Sequence, residues 1–372
     1  MDVVAFAQSL VRVDSSRGNE TDLCKLIQET LDDHGIASER FGADPRRQSL
    51  LFRVGTGRRR LLLNGHLDTV PVGDEGSWTY PPLEGRIVSD KLHGRGASDM
   101  KGGLAALVFA AIALKEQRLR GQAVFVLTQG EETGLCGARE AVARGIRADA
   151  GIVADGNLRE IVIGCRGGMN VRVTTHGRAA HTGVTSHAAK GRNAVLMMTK
   201  VLQTLETFRP PASPVRGFPP GKVTPGTMIS GGIAENVIPD RCEASVNCRL
   251  TVGQTPSGLL RGLRARLQPL RRKGVTFTLE DEGHYLPYRA EADHPVVRTL
   301  QRQLRAHLGK TLPLGYSGGG TDANIFAPAG IPCAVVGVEG GNFHAENEWA
   351  SVQSIRDLQR ILTGTAADFL SG

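Results

Sequence analysis

Four residues able to bind metal follow short apolar runs in this chain: His66 after Leu61-Leu62-Leu63, Glu132 after residues 123–128, Asp155 after residues 151–154, and His344 beyond residues 333–338. A fifth, Asp99, sits among Gly94, Gly96, Gly102 and Gly103, just before an apolar run at 104–114. Two imidazoles and three carboxylates, with no thiolate, suit borderline divalent metals such as Zn, Co or Mn. Because a carboxylate has two oxygens, Asp99 can bridge two ions, leaving His66 with Asp155 on one and Glu132 with His344 on the other. Such a pair, ~3.5–4 Å apart, activates water at neutral pH and polarises a carbonyl. Asp68, two residues after His66, can accept the second imidazole N–H and fix the ring. Glu131, adjacent to Glu132 but projecting differently, can take the proton of the water and pass it to a leaving amine. Each residue has a plainer reading taken alone: His66 as a core histidine, Asp99 as a helix N-cap, Glu131-Glu132 as a solvated helix start, Asp155-Gly156 as a turn. Independent surface acids have no reason to follow apolar strands, so together they predict a dinuclear site.

The elements that must position these residues are legible as well. Short, continuous apolar runs read as strands buried on both faces, and in open α/β sheets ligands sit beyond the carboxyl ends of strands. The run at 104–114 reads as a buried helix, and the glycines before it let the backbone approach an ion closely. Residues 3–13 and 21–34 carry helical apolar spacing, with Gly35 as a stop. Between 167 and 283 the texture changes to alternating segments at 169–175, 242–250 and 275–279, one long helix at 193–205 and a Pro-rich loop at 210–220. At 372 residues the chain exceeds what one core serves. The expected organisation is a catalytic α/β domain in two parts, 1–166 and 284–372, around a smaller α+β domain at 167–283.

The chain carries 45 basic and 37 acidic residues, a formal charge of +8. Its clusters, such as Arg58-Arg59-Arg60 and Arg271-Arg272-Lys273, are scattered, aromatic residues are 5%, and no nucleic-acid motif accompanies them. Nucleic acid is therefore not an expected partner, and the charge favours small anionic substrates. The six cysteines form no C-x-x-C pair, and Met1-Asp2-Val3-Val4 does not open a secretory signal, so a cytoplasmic location is expected. The run at 104–114 is shorter than the ~20 residues a bilayer requires, so no membrane association is expected. A nucleotide-binding G-x-G-x-x-G fails because Gly94-Arg95-Gly96 meets Asp99 where the third glycine should stand.

Four stretches now carry a resemblance: Gly65-His66-Leu67-Asp68-Thr69-Val70-Pro71, the Asp99 segment 94–103, Glu131-Glu132-Thr133-Gly134, and His344-Ala345-Glu346-Asn347-Glu348. They resemble the signatures of the metallohydrolase family that includes acetylornithine deacetylase, succinyl-diaminopimelate desuccinylase and glutamate carboxypeptidase, over residues 9–360. The resemblance implies a three-layer catalytic domain with a mixed, mainly parallel sheet, two Zn or Co ions, and an inserted lid domain through which a homodimer commonly forms. It also implies that His181, in Gly177-Arg178-Ala179-Ala180-His181, stabilises the developing oxyanion, and that His181 and Asn236 act either within the chain or across a dimer. Arg166, Asn236, Arg249, Gly320 and Thr321 match positions that contact substrate in relatives. Two departures lie on the substrate side: residues 182–194 are longer than the deacetylase form and lack its proline, and Asn247-Cys248 precede Arg249 where an acidic residue is common. The expected activity is hydrolysis of a linear amide in a small anionic N-acyl amino acid or dipeptide-like compound. The form of 94–103 favours an N-acetyl or N-succinyl amino acid deacylase. The form of 181–194 favours a metallo-exopeptidase of glutamate carboxypeptidase or dipeptidase type. A non-catalytic metal-binding interaction protein would be expected to lose a ligand or Glu131, and none is lost.

Overall fold

The apolar runs fold as strands whose side chains are buried on both faces, in a computed structural model that describes residues 1–16, 18–184 and 190–371. Arg60–His66 lies between Gln122–Thr128 and Ala150–Val153, parallel to both, and Cys333–Val335 extends the parallel set beyond Ala150–Val153. Arg47–Val54 and Ser38–Asp44 continue the sheet antiparallel on one side, and Ile161–Cys165 on the other. The sheet is thus mixed and mainly parallel, and the four parallel strands Gln122–Thr128, Arg60–His66, Ala150–Val153 and Cys333–Val335 point their carboxyl ends to one edge.

Alternation along the strands gives the sheet two apolar faces. Leu61, Leu63, Phe125 and Leu127 join the large core with the helices Val3–Val11, Glu20–Asp33, Gly102–Lys115, Pro295–Leu308 and Val352–Ser371. Leu62, Val124 and Val126 are equally buried but lie outside that cluster, and the short helices Cys136–Ala143 and Ala323–Phe326 pack on the sheet there. Gly102–Lys115 is buried around most of its circumference. Together with the turn before it, Ala97–Lys115 is long and apolar enough to cross a membrane, so shortness does not exclude a span as the sequence suggested. Burial does: 78% of that window is covered by the rest of the protein, as befits a core helix.

The chain divides into two compact units: Met1–Cys165 with Arg289–Ser317 and Thr321–Gly372, and Arg166–Tyr288 with Gly318–Gly320. The second unit has its own apolar core. Its antiparallel sheet runs Lys222–Gly231, Arg241–Leu250, Gly167–His176, Phe277–Tyr285. Two helices, Ala194–Glu206 and Pro256–Arg272, contribute to that core, where the sequence reading anticipated one. The second escaped because its buried stripe is narrow: Leu259, Leu263 and Leu267 recur every four residues within an arginine-rich, Pro269-containing segment. Residues 185–189, within the departure at 182–194, lie outside the described residues.

Candidate metal centre

His66 is the last residue of its strand and 3% exposed. Its main-chain N–H donates to Met100 Sδ at 3.1 Å, and its Nδ1 to the main-chain carbonyl of Asp68 at 2.9 Å. That second bond fixes the ring so that Nε2 faces Asp99 Oδ1 at 2.9 Å. The Asp68 carboxylate, 3.7 Å from Nδ1, does not take this proton as the sequence reading supposed. It accepts instead from the backbone N–H groups of Glu131 and Glu132, at 3.0 Å each, and so holds the turn that carries both glutamates.

Asp99 does not cap the helix that follows: the cap position is Lys101, with no side-chain bond. Its other oxygen, Oδ2, lies 3.0 Å from His344 Nε2, which is also 2.8 Å from Glu132 Oε1. Asp155 follows Ala150–Val153 at the same sheet edge. The ligand atoms of His66, Asp99 and Asp155 lie within 4.8 Å of one another, as do those of Asp99, Glu132 and His344, and those of His66, Glu131 and Glu132. Asp99 belongs to the first two groups, and Glu131 approaches from beside them.

Crowded, buried carboxylates govern the charge of this site. Burial, and then the charge of Asp99, push Asp155 up to about 7. Burial raises Glu131 well above its ordinary value, and the charges of Asp322, Asp155 and Glu132 add to that against the opposing pull of His66. Burial would lower His66, but its hydrogen bond to Asp99 and the charges of Asp99, Glu131 and Asp68 outweigh it and raise the imidazole. Hydrogen bonds to Asp99 and Glu132 lift His344 to about 10. Burial also opposes ionisation of Asp99, yet hydrogen bonds from His344 and His66 hold it below the carboxylate range. Divalent cations held by these donors would displace any protons bound there. The donor set fits two such cations.

Two buried acids to which the sequence reading gave no part in the metal centre support it from behind. Glu348, 1% exposed, accepts from the main-chain N–H groups of Gly96, Ser98 and Asp99 at 2.9, 3.0 and 3.1 Å, and pairs with Arg95 at 2.8 Å. Asp322, also 1% exposed, accepts from Thr128 Oγ1 and from Asn64 Nδ2, which joins the neighbouring strands under Glu131; burial pushes it up to about 6. The sequence signal for Glu348 was an acid within the His344 motif. The Thr321 hydroxyl, beside Asp322, accepts from Ala323 N at 3.3 Å at the start of the helix Ala323–Phe326.

The other sequence-predicted residues lie in the second unit, in two groups. His181 and Asn236 neighbour each other on a two-stranded ribbon, where Thr182 N donates to the Asn236 carbonyl at 3.0 Å. His181 Nδ1 accepts from Gly183 N at 3.0 Å, which in the neutral ring leaves the proton on an exposed Nε2. Arg166, Arg249 and Gly320 gather around Tyr285: Arg249 Nη1 donates to its hydroxyl at 2.8 Å, and a Cβ on Gly320 would lie 2.4 Å from its ring. Burial, and then the like charge of Arg249, hold Arg166 below its ordinary value.

The family model described as peptidase family M20/M25/M40 matches residues 62–368. The chain belongs to this family. As an M20 member it is a metal-dependent hydrolase, and a purely non-catalytic role is not favoured. Succinyl-diaminopimelate desuccinylase of Methylorubrum extorquens (strain PA1) is 29% identical over 375 residues, 96% of either chain. That of Paracoccus denitrificans (strain Pd 1222) is 30% identical over 374 residues, 97% of this chain and 96% of the relative. The fold matches an M20 metallo-carboxypeptidase from Sulfolobus solfataricus with a TM-score of 0.82 at 18% identity, covering 99% of both chains. It also matches a dinuclear metal-binding M20 peptidase from Bacillus subtilis with a TM-score of 0.75 at 14% identity, over 99% of this chain and 97% of the other. Together with the donor set, membership of M20 supports two divalent metal ions.

Proposed function

We propose that the chain hydrolyses the amide of a small N-acyl amino acid bearing a free carboxylate, with N-succinyl compounds foremost, using two zinc ions, with cobalt as the substitute. The observation that carries this reading is Asp99, whose two oxygens face His66 and His344 separately while Glu131 stands beside both groups. The two desuccinylases, matched over nearly their whole length, support the acyl group.

In this reading His66, Asp155 and Asp99 hold one ion, and Glu132, His344 and Asp99 the other. When bound there, the ions would supply a water of lowered pKa and a polarised scissile carbonyl. Glu131 takes the proton of the attacking water and delivers it to the departing amine, a duty suited to a carboxyl whose proton affinity is raised. Asp68 keeps Glu131 and Glu132 in place through their amides, and its carbonyl fixes the His66 ring. His181, through Nε2–H, donates to the carbonyl oxygen as negative charge builds there. Arg166 and Arg249, two cations in proximity, receive substrate carboxylates in the forked geometry a guanidinium provides, with Gly320 as their neighbour, while Asn236 contacts substrate from beside His181 and Thr321 takes a supporting place. The second unit also serves as a lid and forms a homodimer. Its edge strand Lys222–Gly231 and the turn after it leave Met228, Ile229 and Ile233 exposed at 72%, 58% and 87%, and a partner strand there would cover them. The enzyme works in the cytoplasm on small soluble substrates.

Amine release from N-succinyl amino acids, N-acetyl amino acids and dipeptides, with Zn or Co supplied, tests this. N-succinyl substrates should turn over fastest, and Glu131→Gln should lower kcat by roughly 10²- to 10⁴-fold. Preference for dipeptides would move the activity to an exopeptidase, and unchanged turnover in Glu131→Gln would remove the proton-transfer role.

A further inference from the structure

Glu20 and Arg47 belong to none of the motifs in the sequence, yet their placement is unusual. Glu20 opens the helix Glu20–Asp33 and is 0% exposed. Its Oε1 lies 3.4 Å from Arg47 Nε, while Oε2 has no hydrogen-bond partner among the described residues. A buried carboxylate so poorly satisfied is costly, and Arg47 is the cation that compensates it. Arg47 begins the strand Arg47–Val54, and its stem runs against Gly18, where a Cβ would come within 3.0 Å of Cδ. At its tip, Nη2 donates to Thr133 Oγ1 at 2.7 Å. A Cβ on Gly130 would lie 2.6 Å from that same Nη2, so the guanidinium rests on the turn immediately before Glu131. Gly130 has φ +64°, which favours glycine and lets the turn close against the arginine.

We propose that Arg47, anchored on Glu20, is a positioning residue that fixes the turn at 130–133 and thereby the placement of Glu131; this rests on the proton-transfer role proposed above. Asp68 grips the turn from one side through the amides of Glu131 and Glu132, and Arg47 grips it from the other through Thr133. The Thr133 hydroxyl is exposed, where a free arginine would gain little by bonding it. Arg47 is already immobilised by Glu20 and Gly18, so the added bond orders the turn at small entropic cost.

The test uses the full-length, metal-loaded enzyme. Thr133→Val removes the contact alone, and Arg47→Met combined with Glu20→Gln removes the arginine without stranding a buried charge. Each should lower kcat roughly 10- to 100-fold, as small misplacements of a catalytic group do, while KM stays unchanged. Combining all three substitutions should be no worse than the Arg47→Met/Glu20→Gln pair, because one contact is lost in every case. Amide hydrogen exchange in residues 131–134 should accelerate in each variant, with the strands unaffected. Unchanged kcat in a folded variant, multiplicative losses on combination, or unaltered exchange in the turn would each overturn the proposal. If the wild type hydrolysed none of the substrates, the functional reading would fall and the exchange rates alone would decide this one.

Discussion

Asp99 owes its place to Glu348, a residue 249 positions away in sequence. One buried carboxylate takes the amides of Gly96, Ser98 and Asp99 and the Arg95 guanidinium, so the glycine-rich turn is organised around a single negative charge. Glu348→Ala should therefore leave Arg95 buried and unpaired and cost about 3–5 kcal/mol of stability, measurable as a lowered urea midpoint. A loss of only a few tenths would mean that water replaces Glu348 without penalty. Much of the site was legible because His66, Asp99, Glu132, Asp155 and His344 are metal-binding types at the ends of apolar runs or inside a glycine turn. Glu348 was not, because nothing in local spacing says that an acid in the His344 segment reaches the Asp99 turn. The Asp68 carbonyl was not legible either, since a main-chain acceptor leaves no mark on residue type, and the side chain drew the attention instead.

Elements converge here through close backbone approach. A Cβ on Gly103 would lie 2.2 Å from the carbonyl oxygen of Ala154, and one on Gly102 would lie 2.7 Å from that of Ala97. The first turn of the buried helix is thus pressed against the strand end that carries Asp155. Gly103→Ala should force the helix start away from that strand, weakening metal affinity in the His66–Asp99–Asp155 group more than in the Asp99–Glu132–His344 group. Calorimetric metal titration would show one binding step weakened and the other largely retained, whereas two unchanged steps would refute this account of the packing. The parallel strands could be read from sequence because burial on both faces makes them continuous apolar runs. The helix Pro256–Arg272 could not, because three leucines at four-residue spacing among arginines give a stripe too narrow to stand out.

At the scale of the molecule, two cores divide the labour. The first unit contains the donor groups His66, Asp99, Glu131, Glu132, Asp155 and His344, and the second carries His181 and the Arg166–Arg249 pair. The change of texture near residue 167 was visible because a sheet with one face covered alternates, while a sheet covered on both faces does not. In the proposed function the first unit alone binds two cations about the shared carboxylate of Asp99. The most direct measurement is an anomalous difference map, collected at the zinc edge, from crystals grown with zinc. Two peaks should flank Asp99, one contacted by His66 and Asp155 and the other by Glu132 and His344, with none in the second unit. A single peak, or peaks that Asp99 does not share, would contradict it.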